Sequence, residues 1–397
     1  MAVFQPFRAL RFAPDRLVDR VAPPYDVLTA DDVRDLRRRG SVEVTRIDVP
    51  TVDGGDEPYD DARRMLTSWI DSGEVVLDDE PTFTICRMIF TDETGRSRRI
   101  DGVIGAIEVV DENAPGVLAH ERTTPKASTD RLDLTRATKA NLSPIWGLTS
   151  ATGLTALLAE PGDDAGSVLW DGVEHRFEVI RDRDRCRQIV AALESADVLI
   201  ADGHHRYGVA RMFRDEVRKR TGRTDTDAEL TLMFVNELVP DQLAVAAIHR
   251  VYEGLDVDEM LDALGPLFEP VETLQVDEAT LTAIDRVGGI CVVDPTGTGT
   301  VLRPRPGVFD GIRELDGLRL EIALEGTNHE VSYQHGVNDV VARLREGVAS
   351  VGVLIRPVPI EEIRRTADQR ELMPPKSTFF TPKLLTGAVL RPMTLET

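Results

Sequence analysis

Asp202, Gly203, His204, His205 and Arg206 stand in one run, directly after the apolar stretch Val198-Leu199-Ile200-Ala201. The first amides of a helix lack intrahelical partners and carry the positive end of its dipole, so a glycine turn at such a point receives an anion closely. Gly203 meets the steric requirement, and Arg206 adds a permanently charged fork for phosphate oxygens. His204 and His205 donate hydrogen bonds or move a proton near neutral pH. Asp202 would be repelled by a phosphate unless it binds magnesium or takes a proton, so it is read as the metal contact, and with His205 as a catalytic group. The competing reading is a surface turn with an aspartate cap and solvated histidines.

Three further segments carry chemistry. His120-Glu121-Arg122-Thr123-Thr124 lacks the second histidine of a zinc-protease H-E-x-x-H, which would stand at Thr124. With Lys126, Asp130 and Arg131 it is nonetheless dense in groups able to act as base, metal ligand and anion clamp. His120 and Glu121 are the catalytic candidates there, and Lys126 and Arg131 the phosphate-binding ones. Met373 to Lys383 holds too many prolines for a helix and too many aromatics for a disordered tail. It reads as an ordered loop whose Lys376, Ser377 and Lys383 could reach a polyphosphate. Ala22-Pro23-Pro24-Tyr25-Asp26-Val27 is a prolyl-locked loop presenting Tyr25 and Asp26, candidates for substrate binding. Gly297-Thr298-Gly299 is better explained as a hairpin turn than as a phosphate loop. His175, His249, His329 and His335 are isolated, and neither a Walker A lysine motif nor a G-x-S-x-G elbow is present.

Positioning these groups requires a scaffold. Helices are expected at Thr29 to Arg39, with a threonine cap, and at Asp60 to Ser72, closed by Gly73. Val42 to Val49 alternates between them as a half-buried strand would. Phe83 to Phe90 and Gly102 to Val110 read as a hairpin or meander around Thr94-Gly95, and Asp171-Gly172 suits a second, type I′ hairpin. A helix over Asp182 to Ser195 leads to the strand Val198 to Ala201. Tyr207, Ala210, Phe213 and Val217 then mark one face of a helix ending near Thr221-Gly222. The chemistry-bearing run therefore sits on a strand-to-helix junction. Leu230 to Val235 and Leu243 to Ile248 read as further strands. The expected class is mixed α/β, with mixed sheets and flanking helices, divided softly into an N-terminal region 1–100, a core 101–250 and a C-terminal region 251–397 that closes the site.

Composition bounds the function. A formal charge of −22 over 397 residues repels a polyanion from most of the surface, which disfavours nucleic acid as a partner. Lysine occurs only at 126, 139, 219, 376 and 383, so a lysine in a turn raises a chemical question where arginine is the default. No run is long and apolar enough for a membrane span, and the N-terminus breaks its hydrophobics with Pro6 and Arg8. Cys86, Cys186 and Cys291 have no paired spacing and read as buried hydrophobes of a cytoplasmic protein.

The chain resembles the bacterial and archaeal family of domain of unknown function 1015. The resemblance runs through Phe7-Arg8-Ala9-Leu10-Arg11, Ala22 to Val27, His120 to Thr123, Ile200 to Tyr207 and Met373 to Thr378. More distantly, the D-G-x-H-R core at Asp202 to Arg206 is similar to the nucleotide-phosphate motif of the ParB and sulfiredoxin superfamily, which includes kinases of free serine. That similarity implies a ParB/sulfiredoxin-like nucleotide-binding core in which the glycine, histidine and arginine hold phosphates and an acidic residue serves as base or metal partner. The motif has no cysteine, unlike sulfiredoxin, and no helix-turn-helix region is evident, unlike chromosome-partitioning ParB. The expectation is a kinase of a small hydroxylated metabolite, free L-serine first, using ATP or ADP with Mg2+. Glu121 would be the base, with Lys376 and Lys383 closing over the phosphates. A nucleotide sensor that changes its contacts with a partner, a second copy of the chain included, is the alternative from another class.

Overall fold

Phe83–Thr91 (β2) and Ser97–Glu108 (β3) pair antiparallel from Thr84 opposite Ile104 to Thr91 opposite Ser97. They form the centre of a nine-stranded sheet in the computed structural model, which describes residues 2–53, 57–92, 95–112, 114–119, 128–369, 371, 373 and 377–394. The other strands are Phe4–Gln5 (β1), Val117–Ala119 (β4), Ile145–Thr149 (β5), Asp163–Trp170 (β6), Val173–Ile180 (β7), Val198–Asp202 (β8) and Leu230–Glu237 (β9). Their order is β4-β8-β5-β9-β3-β2-β7-β6, with β1 also on β3. The β4/β8 and β5/β9 pairs are parallel and the rest antiparallel, so the sheet is mixed. The β6–β7 turn holds Asp171 and Gly172 at φ 48° and 74°, the left-handed pair that a type I′ hairpin requires. Close packing needs Gly102, where a Cβ would lie 2.2 Å from the Phe234 ring.

Helices follow the expected caps. Ala30–Arg37 (α1) starts with a reciprocal Thr29/Asp32 capping box. Pro58–Asp71 (α3) buries Ala62, Leu66 and Trp69. The stretch Val42 to Val49, expected as a strand, instead contains the short helix Thr45–Asp48 (α2). Glu43 accepts hydrogen bonds from Thr45 N and Oγ1, and Arg37 donates to the Thr45 and Val49 carbonyls, so nearby side chains satisfy backbone groups that a ladder would have taken. Ser128–Thr138 (α4), Leu154–Ala159 (α5), Arg183–Leu193 (α6) and His204–Thr221 (α7) follow. One apolar cluster joins Leu154 and Leu158 of α5, Ile189 and Leu193 of α6, and Tyr207 and Ala210 of α7 to Ile85, Val103, Val198, Ile200 and Val235 of the sheet. Val209, Phe213 and Val217 of α7 pack with Leu132 of α4 and Met393.

These elements belong to one compact unit, Met1–Ala244 with Pro382–Thr397; Val245–Thr381 forms a second. The second unit is built on a six-stranded antiparallel sheet: His249–Glu253 (β10), Phe268–Gln275 (β11), Ile290–Val293 (β12), Thr298–Pro304 (β13), Glu330–Gln334 (β14) and Val351–Leu354 (β15), in the order β11-β13-β12-β15-β10-β14. Alternation along β12 sends Ile290 and Val292 into a cluster with Met260 and Leu320, and Cys291 and Val293 into one with Ile284 and Val340. Gly297 closes the β12–β13 hairpin turn, and Thr298 and Gly299 open β13. Leu243 to Ile248, expected as a strand, contributes only Val245–Ala246, paired with Phe379–Phe380. The divisions expected after residues 100 and 250 fall within β3 and β10. All three cysteines are buried and free. Among the described residues no helix is long and apolar enough to cross a membrane.

Candidate anion site at the start of α7

The apolar run Val198 to Ala201 makes β8 a buried strand, and its register against β5 shifts between Ile200 and Asp202. That irregularity frees the strand end to turn. Gly203 caps α7 in the left-handed region (φ 90°, ψ 28°). The Arg206 guanidinium folds back over it, so a Cβ at Gly203 would stand 3.0 to 3.1 Å from the guanidinium atoms. Tyr207 fixes the first turn from below, its hydroxyl donating to Glu108 O at 3.1 Å and accepting from Val110 N at 2.8 Å.

Asp202 is the hub. Its Oδ2 accepts from Arg206 Nη2 at 2.6 Å and its Oδ1 from Lys383 Nζ at 2.6 Å. Burial alone would raise this carboxyl, but the fields of Lys383 and Arg206 outweigh it and hold it down at about 2. Arg206 is oriented further by Ser143 Oγ, at 2.8 Å from Nη1, and by the Pro144 carbonyl. Burial opposes its charge, yet Asp202, Asp26, Tyr25 and Asp48 together raise its pKa above the ordinary guanidinium value.

A second arginine stands beside it. Arg131 Nη1 donates to Asp48 Oδ1 at 3.2 Å, and its Nη2 lies 2.7 Å from Asp130 Oδ2. Its guanidinium lies 4.3 Å from the centre of the Tyr25 ring. Tyr59 donates to Asp130 at 2.8 Å, and burial together with that bond pushes the phenol up to about 12. Burial raises the Asp48 carboxyl against the lowering fields of Arg131 and Arg206. Asp26, exposed at the end of the prolyl loop, is close enough for its charge to act on both Arg206 and Tyr25. A cavity of about 60 Å³ opens between these groups and the α4–α7 contact; Tyr25, Asp48, Arg131, Ser143 and Arg206 line it with Leu134, Val209, Phe213 and Met393.

Residues far apart in sequence thus converge: Tyr25, Asp26, Arg131, Asp202, Gly203, Arg206 and Lys383. His204 and His205 sit half-buried in the first turn of α7. Ser377 lies half-buried in the second unit. His120, Glu121, Lys126 and Lys376 fall outside the described residues. The reading from sequence missed Asp48 and Ser143. The signal for Asp48 was a broken alternation: Val44 and Ile47 are three apart, the spacing of a helical turn. Asp202, expected as the magnesium contact, is held between two cations here. Both of its oxygens are engaged by cations, and no cluster of three His, Cys, Asp or Glu groups is found among the described residues.

Fold and site define a mixed α/β protein with a cationic strand-to-helix turn anchored on a half-buried carboxylate. The chain belongs to the family described as protein of unknown function (DUF1015), whose model matches residues 4–318. No curated protein matches it in sequence. Solved structures similar to it include a free serine kinase in complex with AMP, at 14% identity over 77% of this chain and 95% of that chain with a TM-score of 0.39. A conserved hypothetical protein from Pyrococcus furiosus is 13% identical over 70% of this chain and 90% of its own, with a TM-score of 0.36. SbnI from Staphylococcus aureus, truncated at its C-terminus, is 12% identical over 71% of this chain and 85% of its own, with a TM-score of 0.37.

Proposed function

We propose that this protein is a nucleotide-dependent phosphotransferase that phosphorylates a small hydroxylated metabolite, with free L-serine the first acceptor to test. The supporting observation is that Arg206 and Lys383 both meet Asp202 at the amide end of the long helix α7. An arriving polyphosphate can take over these two cations without reorganising the backbone, Asp202 then being left to hold the magnesium that would accompany the nucleotide; this is the positioning and charge stabilisation that phosphoryl transfer requires. The α7 amides, His204, His205, Arg206, Arg131 and Lys383 hold the phosphates of ATP or ADP in this reading, joined by Lys126 from the second motif. Tyr25 and Asp26 face the acceptor.

In the transfer the acceptor hydroxyl oxygen bonds to the terminal phosphorus. The bond from that phosphorus to the bridging oxygen breaks, and the oxygen leaves with the shortened nucleotide. The hydroxyl proton passes to a carboxylate: Asp26 is the exposed candidate among the described residues, and Glu121, beside His120, is the candidate from the second motif. Purified protein incubated with ATP or ADP, magnesium and a panel of hydroxylated metabolites tests the reading by mass spectrometry. An O-phosphorylated product supports it. Nucleotide binding with no product from any acceptor removes it, and nucleotide-dependent self-association without acceptor binding would replace it with a sensor.

A further inference from the structure

We infer that β14 is an assembly edge, pairing antiparallel with β14 of a second copy of this chain about a two-fold axis at Ser332. The inference goes beyond the phosphotransferase reading and does not rest on it. A sheet edge presents backbone donors and acceptors that another strand can take up, so proteins block their edges with proline, bulges or charge. The six-stranded sheet has two edges, β11 and β14. β11 is blocked: Pro270 removes a backbone donor, the register against β13 shifts between Pro270 and Glu272, and Glu269 and Glu272 add charge. β14 has neither proline nor bulge, and its one charge, Glu330, stands at its end. Glu330 to Gln334 pairs without a break with Glu253 to His249 on one side, and among the described residues no strand pairs with the other.

What the strand presents fits a copy of itself. Val331 and Tyr333, 40% and 39% exposed, are two apart and share a face. Arg250, opposite Tyr333 in the register, lies with its guanidinium 5.3 Å from the ring centre and holds the ring on that face. Antiparallel pairing about Ser332 brings the whole strand into register. Val331 then stands opposite Tyr333 of the second copy, a β-branched side chain against an aromatic one, and the axis repeats that pair. Glu330 stands opposite Gln334, so no like charges meet across the contact. The strand is thus its own complement, which is what a two-fold contact between identical chains requires. The net charge of −22 opposes approach at long range, so salt should strengthen the pairing.

Sedimentation velocity of the full chain without nucleotide tests the contact, and disulfide trapping tests its register. A dimer should form as concentration rises and gain with added salt. Pairing about Ser332 sets its Cα about 4.5–5.5 Å from its counterpart, within disulfide reach. Ser332→Cys should therefore give a covalent dimer under mild oxidation. Glu330→Cys, about 13 Å from its counterpart in that register, should not. Cys86, Cys186 and Cys291 are buried and add no background. Tyr333→Lys, at an exposed position, should weaken the untrapped dimer at least roughly fivefold. A monomer at every concentration and salt level, equal cross-linking of the two cysteine variants, or a dimer indifferent to Tyr333→Lys overturns the inference.

Discussion

Lys383 Nζ donates to Asp202 Oδ1 at 2.6 Å, closing a contact between residues 181 apart in the chain. The same carboxylate holds Arg206 on its other oxygen. In the phosphotransferase reading proposed above, Asp202 stands where a phosphate oxygen would come between the two cations. Nucleotide binding in this account is an exchange of one anion for another.

Lys383→Met removes one of the two cations without altering the turn. Charge-assisted hydrogen bonds contribute about 1.5–3 kcal/mol, so ADP affinity measured by calorimetry should fall roughly 10- to 100-fold. Unchanged affinity would place the phosphates elsewhere.

Gly203→Ala should weaken both fold and site. The position has φ 90°, and the added methyl would meet the Arg206 guanidinium at 3.0 Å. Alanine in the left-handed region costs about 1–2 kcal/mol, to be read from the urea midpoint. Displacement of Arg206 should weaken ADP binding beyond what the lost stability explains.

Asp202 makes part of the stability dependent on acid. Its folded value of about 2 lies below the ordinary 3.8, so the folded state keeps the charge after an unfolded chain would have taken a proton. The contribution, on the order of 2 kcal/mol, is complete above the ordinary value and is lost as pH falls from about 3.8 toward 2. Urea titrations of the protein and of Asp202→Asn should differ most near pH 5 (about one unit above the ordinary value) and converge only once the pH falls below the folded value of about 2. A gap that stays constant with pH would contradict the assignment.

His175 acts in a separate window. It is 1% exposed on β7, its Nδ1 meets no partner among the described residues, and burial lowers its pKa to about 4. The unfolded chain takes this proton near 6.5 and the folded chain only near 4, so stability declines as pH falls between those values. His175→Leu should flatten that part of the profile, by up to about 3 kcal/mol. A profile of unchanged slope in the variant would show that other groups carry it.

The strand-to-helix turn was legible because three local signals agree there: the apolar run before Asp202, the glycine at 203, and Tyr207, Ala210, Phe213 and Val217 at helical spacing. Arg131, Lys383, Tyr25 and Asp26 were legible as residue types in unusual local settings, but nothing in their spacing said that they meet. Long-range convergence leaves no mark on a single sequence. Asp48 was hidden for a different reason. Val42 and Val44, then Ile47 and Val49, resemble an alternating strand with one break between Val44 and Ile47, and the helix at Thr45–Asp48 is held by the nearby side chains of Glu43 and Arg37, contacts that propensity does not record. The doubling of Asp202 as a clamp for two cations was likewise unreadable, since its expected role was to hold a metal.

A crystal structure with a non-hydrolysable ATP analogue measures the central claim directly. The account predicts the β- and γ-phosphates at the amides following Gly203, with Arg206 and Lys383 moved from Asp202 onto phosphate oxygens. An analogue bound elsewhere, with the Lys383–Asp202 and Arg206–Asp202 pairs intact, would contradict it.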